Sequence, residues 1–229
     1  MNTCTFDFRD RLSYTPQAIV LAQGDYPSDA GLRKMIEEVP HLIVCDGAVR
    51  GLLEHSSRRP DCVIGDGDSV PMARLEELGI PFVHVQNQDT NDLTKAIMLC
   101  KDNGWMRVCI LGGTGRREDH TLGNISLLCE YHMLGMEVRM MSDYGTFLPF
   151  EGDCTLTVEV GQQLSLFNLG GAHLSASGVK YPFERTNFAS LWQATLNEAV
   201  VEEVHLSADR LILIYIAQER KNPQNTTPC

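Results

Sequence analysis

In the first two thirds of the chain, short apolar runs alternate with stretches of helical periodicity. "AIVLAQG", "HLIVCDG", "DCVIGD", "PFVHV", "RVCILGG" and "EVRMMS" read as strands. Strands joined through helices run parallel, so the alternation predicts an α/β layer with a largely parallel sheet and flanking helices. "TNDLTKAIMLCKDNG" places Leu93, Ile97 and Cys100 on one helical face and stops at Gly104. "DHTLGNISLLCEYHMLG" repeats the pattern with Leu122, Ile125 and Leu128 and closes at Gly135. From about residue 150 the pattern changes to "CTLTVEV", "QLSLFNL", "HLSASG" and "RLILIYIAQ", short alternating or apolar runs punctuated by Gly, Pro and Asn. An α/β domain over residues 1–149 and an all-β domain over 150–229 are expected, divided near Pro149–Asp153, with a polar tail "ERKNPQNTTPC" that frays.

Composition narrows the function. A formal charge of -11 with no basic stripe argues against nucleic acid and anionic membrane as partners, so an anionic substrate needs local help. The start "MNTCTFDFRDRLSY" lacks a basic-then-apolar leader, and no run of roughly 18 apolar residues occurs. A cytoplasmic protein is expected. The eight cysteines lack zinc-finger or C-x-x-C spacing, and Cys45, Cys62 and Cys109 sit inside strand-like runs, as buried reduced thiols do.

In an open α/β sheet, ligands gather beyond the carboxyl ends of the strands. Acids cluster in such places here. Asp46 follows "HLIVC", Asp66 and Asp68 follow "DCVIG", Asp89 and Asp92 follow "PFVHVQNQ", and Asp119 follows "RVCILGGTGRRE". Each has a local explanation: Asp89 or Asp119 as a helix cap, Asp92 in a first turn that favours negative charge, Asp66-Gly67-Asp68 as a turn. Gathered at one edge they repel unless a cation neutralises them, and oxygen-only ligation points to Mg2+ carrying phosphates. The segment "GGTGRREDH" adds Gly113 and Thr114 as close-approach backbone, with Arg116 and Arg117 as charge-assisted donors. It is neither a Walker A loop nor a G-x-G-x-x-G fingerprint, because Glu118 stands in the last glycine position.

Taken in order, "CDGA", "PDCVIGDGDS", "NQDTNDLTKAI", "GGTGRREDHTLGNI", "SASGVKYPFE" and "ATLNEA" resemble the thiamine pyrophosphokinase family along nearly the whole chain. The resemblance implies an α/β domain, a C-terminal β-sandwich and a homodimer with active sites between subunits. It implies Mg2+ on Asp66, Asp68 and Asp89, and nucleotide contacts from Asp46, Thr90, Asn91, Asp92, Lys95, Gly113, Thr114 and Arg117. It also implies that Asp92, Arg117 and Asp119 join the three metal acids in catalysis, and that Ser177, Gly178, Tyr181 and Asn197 meet thiamine. Departures are Arg116 where the family has Gly, Gly67 in "GDFDS", "VKY" for "LKW" and "ATLN" for "STSN".

The implied reaction moves pyrophosphate from ATP to the thiamine hydroxyl, chemistry that rests on alignment and charge neutralisation. His120, beside Asp119, reads as a helix-start residue rather than a proton shuttle. Tyr181 also fits a packed strand aromatic, and Trp105 and Trp192 read as packing residues. Two other readings stay open. "VIGDGDSV" fits the nucleophile motif of haloacid-dehalogenase-like phosphatases, although Gly65 interrupts its apolar run and no late double-acid motif follows. The third is a nucleotide- or thiamine-binding regulator without turnover.

Overall fold

The computed structural model describes residues 4–86 and 89–220. After β1 (Cys4–Asp7) and a 3-10 turn at Arg11–Ser13, strands and helices alternate. They are β2 (Ala18–Leu21), α1 (Ala30–Glu38), β3 (His41–Cys45), α2 (Ala48–His55), β4 (Cys62–Gly65), α3 (Met72–Leu78), β5 (Phe82–His84), α4 (Asp92–Asp102), β6 (Arg107–Leu111), α5 (Glu118–Met133) and β7 (Glu137–Ser142). Six strands follow: β8 (Gly145–Thr157), β9 (Gln162–Phe167), β10 (Leu174–Ser177), β11 (Phe183–Thr186), β12 (Asn197–Glu198) and β13 (Glu203–Arg220). The described residues divide into two compact units, one within Tyr14–Asp143 and the other formed by those up to Ser13 with those from Tyr144 onward.

In the first unit the strands stand in the order β7-β6-β2-β3-β4-β5, every neighbouring pair parallel. All six strand runs expected from the sequence are present. The central four are buried almost throughout, as a sheet covered on both faces requires. Ile19 and Leu21 of β2 and Leu42 and Val44 of β3 share a core with Leu32 and Ile36 of α1 and Val49 and Leu52 of α2. Asp29 caps α1, its carboxylate accepting from Leu32 N at 2.9 Å.

Helix α4 buries Leu93, Ile97 and Cys100 as expected, and Gly104 and Gly135 take left-handed φ of 77° and 83° after the two helices. Helix α5 departs from expectation. Leu128 and Tyr131 are buried, but Leu122 is 68% exposed. Steps of three residues slip backward by about 60° each on a 3.6-residue helix, so Leu122 and Leu128 face directions about 120° apart. The buried stripe passes through Leu128 and Tyr131 instead.

The second unit is strand-rich, as expected. The 18-residue β13 pairs antiparallel with β8, β9 and β10 in turn. Leu148, Phe150, Leu156, Leu166, Leu174, Leu206 and Ile214 form its core. The register of β13 on β8 breaks between Ala208 and Ile212, where Asp209 and Arg210 interrupt the apolar pattern, so the strand begins well before "RLILIYIAQ". Pro149–Asp153 lies inside β8. Strand β1, too short to register as a pattern, pairs parallel with β8 from Cys4↔Cys154 to Asp7↔Thr157. Glu219 and Arg220 still belong to β13, and the remainder of the polar tail lies outside the described residues.

Asp143, just past β7, fastens the approach to α1. Its carboxylate accepts from Ser28 N at 2.9 Å, Ser28 Oγ at 2.6 Å and Asp29 N at 2.9 Å. Asp143→Ala is expected to lower stability by about 1–2 kcal/mol, read as a lower urea midpoint with an unchanged denaturant slope.

Candidate functional site

The strand order places the site. From β2 the chain steps outward through β3, β4 and β5, then α4 carries it back across to β6 on the other side of β2. The connections after β2 and β6 therefore lead to strands on opposite sides, and a crevice is expected at the carboxyl ends of these two strands. A cavity of about 370 Å³ occupies it, lined from the β2 loop by Gln23 and Gly24, from α4 by Asn91 and Asp92, and from the β6 loop and α5 by Gly113, Gly115, Arg116, Arg117, His120 and Asn124.

Backbone bonds stitch the two loops together. Gly24 N donates to Gly112 O at 2.6 Å and Asp25 N to Thr114 O at 2.9 Å. Only glycine fits at position 24, because a Cβ there would stand 2.0 Å from Thr114 O. This leaves the glycine loop itself open. The backbone N–H groups of Gly113, Thr114, Gly115 and Arg116 make no hydrogen bond to another described residue, which leaves a row of donors for an anion beside the cavity.

Asn91, not Asp89, is the N-cap of α4, its Oδ1 accepting from Thr94 N at 2.9 Å. Its Nδ2 donates to Asn124 Oδ1 at 3.1 Å, and Asn124 Nδ2 donates to Gly113 O at 2.9 Å. Asn124 thus ties the glycine loop to the start of α4. Sequence reasoning passed over Gln23, Gly24 and Asn124. The first two follow "AIVLA" directly, and Asn124 lies seven residues, two helical turns, beyond Arg117.

The charged residues are largely paired. Lys95 Nζ, on a side chain only 7% exposed, meets Asp92 Oδ1 at 2.9 Å. Arg117 grips Asp119 through Nε at 3.1 Å and Nη2 at 2.5 Å, and Asp119 also accepts from His120 N. Those bonds hold the Asp119 carboxyl down to about 2. Asp119 lies in the first turn of α5, whose N-cap is Arg117.

Asp46 is the buried acid, 2% exposed at the end of β3. Its Oδ2 accepts from Gly67 N at 2.8 Å, which fixes the turn carrying Asp66 and Asp68, while its Oδ1 has no partner among the described residues. Burial pushes its pKa up, and the nearby charges of Asp92 and Asp66 push the same way. Asp66 is half-buried, and Asp68, Asp89 and Thr90 are exposed. Among the described residues no three His, Cys, Asp or Glu side chains stand close enough to hold a metal by themselves. The oxygen set still fits Mg2+, which takes one or two carboxylates and completes its shell with water and phosphate. An orphaned buried carboxylate oxygen with a second aspartate beside it is the kind of place such an ion relieves.

In the strand-rich unit, Ser177 lines a separate cavity of about 760 Å³. Asn197 is buried and spends its amide on Tyr181, accepting from Tyr181 N at 3.1 Å and donating to Tyr181 O at 2.8 Å. It holds the turn that presents Tyr181, which is 64% exposed and so does not pack in the core. Gly178 is at φ 77° with Glu203 O only 2.6 Å from where a Cβ would be. Trp105 stacks on His41 with ring centroids 3.8 Å apart, a packing role, whereas Trp192 is exposed rather than packed.

Two outcomes follow from these contacts. Asn124→Ala is expected to cost about 1 kcal/mol and to speed amide hydrogen exchange over residues 113–117 more than elsewhere. For Asp46, a raised folded-state pKa means that the native state binds its proton more tightly than the unfolded chain. Its contribution therefore falls as pH rises from the ordinary aspartate value of about 4. Asp46→Asn keeps the acceptor for Gly67 N and removes the charge, so chelator-treated variant should melt higher than wild type at neutral pH and with a flatter pH dependence.

Residues 32–140 match the family model for the thiamin pyrophosphokinase catalytic domain and residues 145–215 that for its substrate-binding domain. Thiamin pyrophosphokinase 1 of Caenorhabditis elegans is 25% identical over 195 residues, covering 78% of this chain and 79% of the relative. The solved thiamin pyrophosphokinase of Candida albicans superposes with a TM-score of 0.79 at 17% identity, covering 95% of this chain and 93% of that one. That of Bacillus subtilis gives 0.74 at 24% identity, covering 87% and 98%. With both family domains matched in order across most of its length, the chain belongs to the thiamin pyrophosphokinase family of enzymes.

Proposed function

We propose that this enzyme transfers the pyrophosphoryl unit of ATP to the primary hydroxyl of thiamine, releasing AMP and thiamine diphosphate. The observation that carries the reading is the crevice at the β2/β6 divide, where one cavity is lined by a glycine loop with unbonded backbone amides and by the acid-bearing start of α4, in a chain that matches both family domains. In the reaction the thiamine oxygen forms a bond to the β-phosphorus and gives up its proton to solvent, and the bond from that phosphorus to the α–β bridging oxygen breaks, so that AMP carries the bridging oxygen away.

Such a transfer asks the protein for alignment and charge rather than covalent help. The glycine loop from Gly113 and Thr114 holds the phosphates through backbone N–H groups, and Arg117 exchanges Asp119 for a phosphate oxygen. Thr90, Asn91, Asp92 and Lys95 form the α4 side of the nucleotide site, with Lys95 fixing Asp92 in place. Asp46 holds the Asp66–Asp68 turn from beneath. Asp66, Asp68 and Asp89 would carry Mg2+, which supplies positive charge against the phosphate oxygens when bound.

On the thiamine side, Tyr181 offers an exposed aromatic face to a cationic ring, a favourable pairing. Asn197 and Gly178 shape the turns that present it, and Ser177 supplies a hydroxyl. A homodimer is part of the proposal, supported by exposed Tyr181, Trp192 and Leu196 on the strand-rich unit. A cytoplasmic setting is supported by the described cysteines, all free thiols, and no described helix is long and apolar enough to cross a membrane.

The purified protein, given thiamine, ATP and Mg2+, is expected to form AMP and thiamine diphosphate in equal amounts by mass spectrometry. Orthophosphate released without thiamine would instead identify a phosphatase, and binding of both substrates without product a regulator. Asp66→Asn should lower kcat on the order of 100-fold with an unchanged circular dichroism spectrum; a wild-type rate would remove the metal assignment.

A further inference from the structure

Arg116 stands where the backbone suits glycine. Its φ is 60°, directly after Gly115 at 87°, and an L residue with a Cβ is strained in that left-handed region. Nothing in the local packing requires the side chain, which is exposed and lines the cavity. A position that tolerates strain for a long charged side chain at the rim of a site suggests a contact with the ligand.

The charge accounting points the same way. Arg117 is committed to Asp119 and Lys95 to Asp92. Arg116 makes no ion pair or hydrogen bond with another described residue, so its charge is uncommitted in a protein whose formal net charge is -11. The neighbouring amides of Gly113–Arg116 are donors awaiting an anion, and a guanidinium matches phosphate through paired N–H groups.

We propose that Arg116 is a nucleotide-affinity residue of this chain, its guanidinium clasping the polyphosphate of ATP over the glycine loop at the expense of backbone strain. This rests on the ATP-dependent reading of the site given above. The strain and the contact make opposite demands, so one substitution separates them. Arg116→Gly relieves the backbone and removes the charge; Arg116→Asn, also tolerant of left-handed φ, removes the charge alone; Arg116→Lys keeps the charge but not the paired donors.

The test is equilibrium binding of ATP by calorimetry, with melting temperature measured alongside. Arg116→Gly is expected to melt about 1–3 °C higher than wild type and to bind ATP about tenfold more weakly, with thiamine affinity unchanged. Arg116→Asn should match that loss, Arg116→Lys should recover part of it, and the salt dependence of ATP binding should flatten in the two uncharged variants. Wild-type ATP affinity in Arg116→Gly overturns the proposal, as does a wild type that binds no ATP. Because the readout is binding, a wild type that binds ATP but yields no AMP with thiamine defeats the proposed reaction while leaving the Arg116 comparison decisive.

Discussion

The parallel pairing of β2 with β6, and the loop contacts that continue it past the strand ends, are what the rest of the site depends on. Leu21 pairs with Leu111, Ala22 N bonds to Leu111 O, and Gly24 N and Asp25 N extend the ladder onto Gly112 and Thr114. The sheet therefore does more than support the glycine loop from below. It spends the Gly112 and Thr114 carbonyls on the β2 side, while the N–H groups of Gly113–Arg116 stay unbonded to any described residue. A substitution that places a Cβ at position 24 strikes this contact before it strikes any side chain.

The acids follow from the same geometry. Parallel strands end on one edge, so the residues after β3, β4 and β5 are brought together whatever their charge, and Asp46, Asp66 and Asp92 come within electrostatic reach of one another. The fold meets this repulsion unequally. Asp92 has Lys95, and Asp66 is half-open to solvent, but Asp46 is enclosed with one oxygen bonded to Gly67 N and the other to nothing described. The least comfortable carboxylate is thus the one that fixes the turn carrying two others, which is the feature that supports the proposed cation.

The parts legible in the sequence were those set by periodicity and strand ends. Six apolar runs became six parallel strands, Leu93, Ile97 and Cys100 became the buried face of α4, and Asp46 and Asp66 fell at strand ends as the alternation implied. What the sequence hid depended on tertiary pairing. Asn124 looks like one polar helix residue among several until Asn91 and Gly113 are brought to it from other segments. Leu122 read as core because spacing by three imitates a helix face locally, and only the packing of α5 showed which stripe wins. Asn197 read as a substrate contact from the family likeness alone, and its bonds to the Tyr181 backbone, which fix the turn, come from a segment sixteen residues away.

The same contrast bears on how an acidic enzyme would take up the proposed polyanion. Two of its described cations near the crevice sit on their own acids, Lys95 on Asp92 and Arg117 on Asp119. On the proposed reading, a nucleotide phosphate exchanges with Asp119 for Arg117, and because that pair is solvent-exposed the exchange costs little. Lys95, largely buried, is poorly placed for such an exchange and instead keeps Asp92 oriented. The groups without a described partner, the backbone amides of the glycine loop and Arg116 beside them, are those that a polyphosphate, on the proposed reading, would engage without displacing anything.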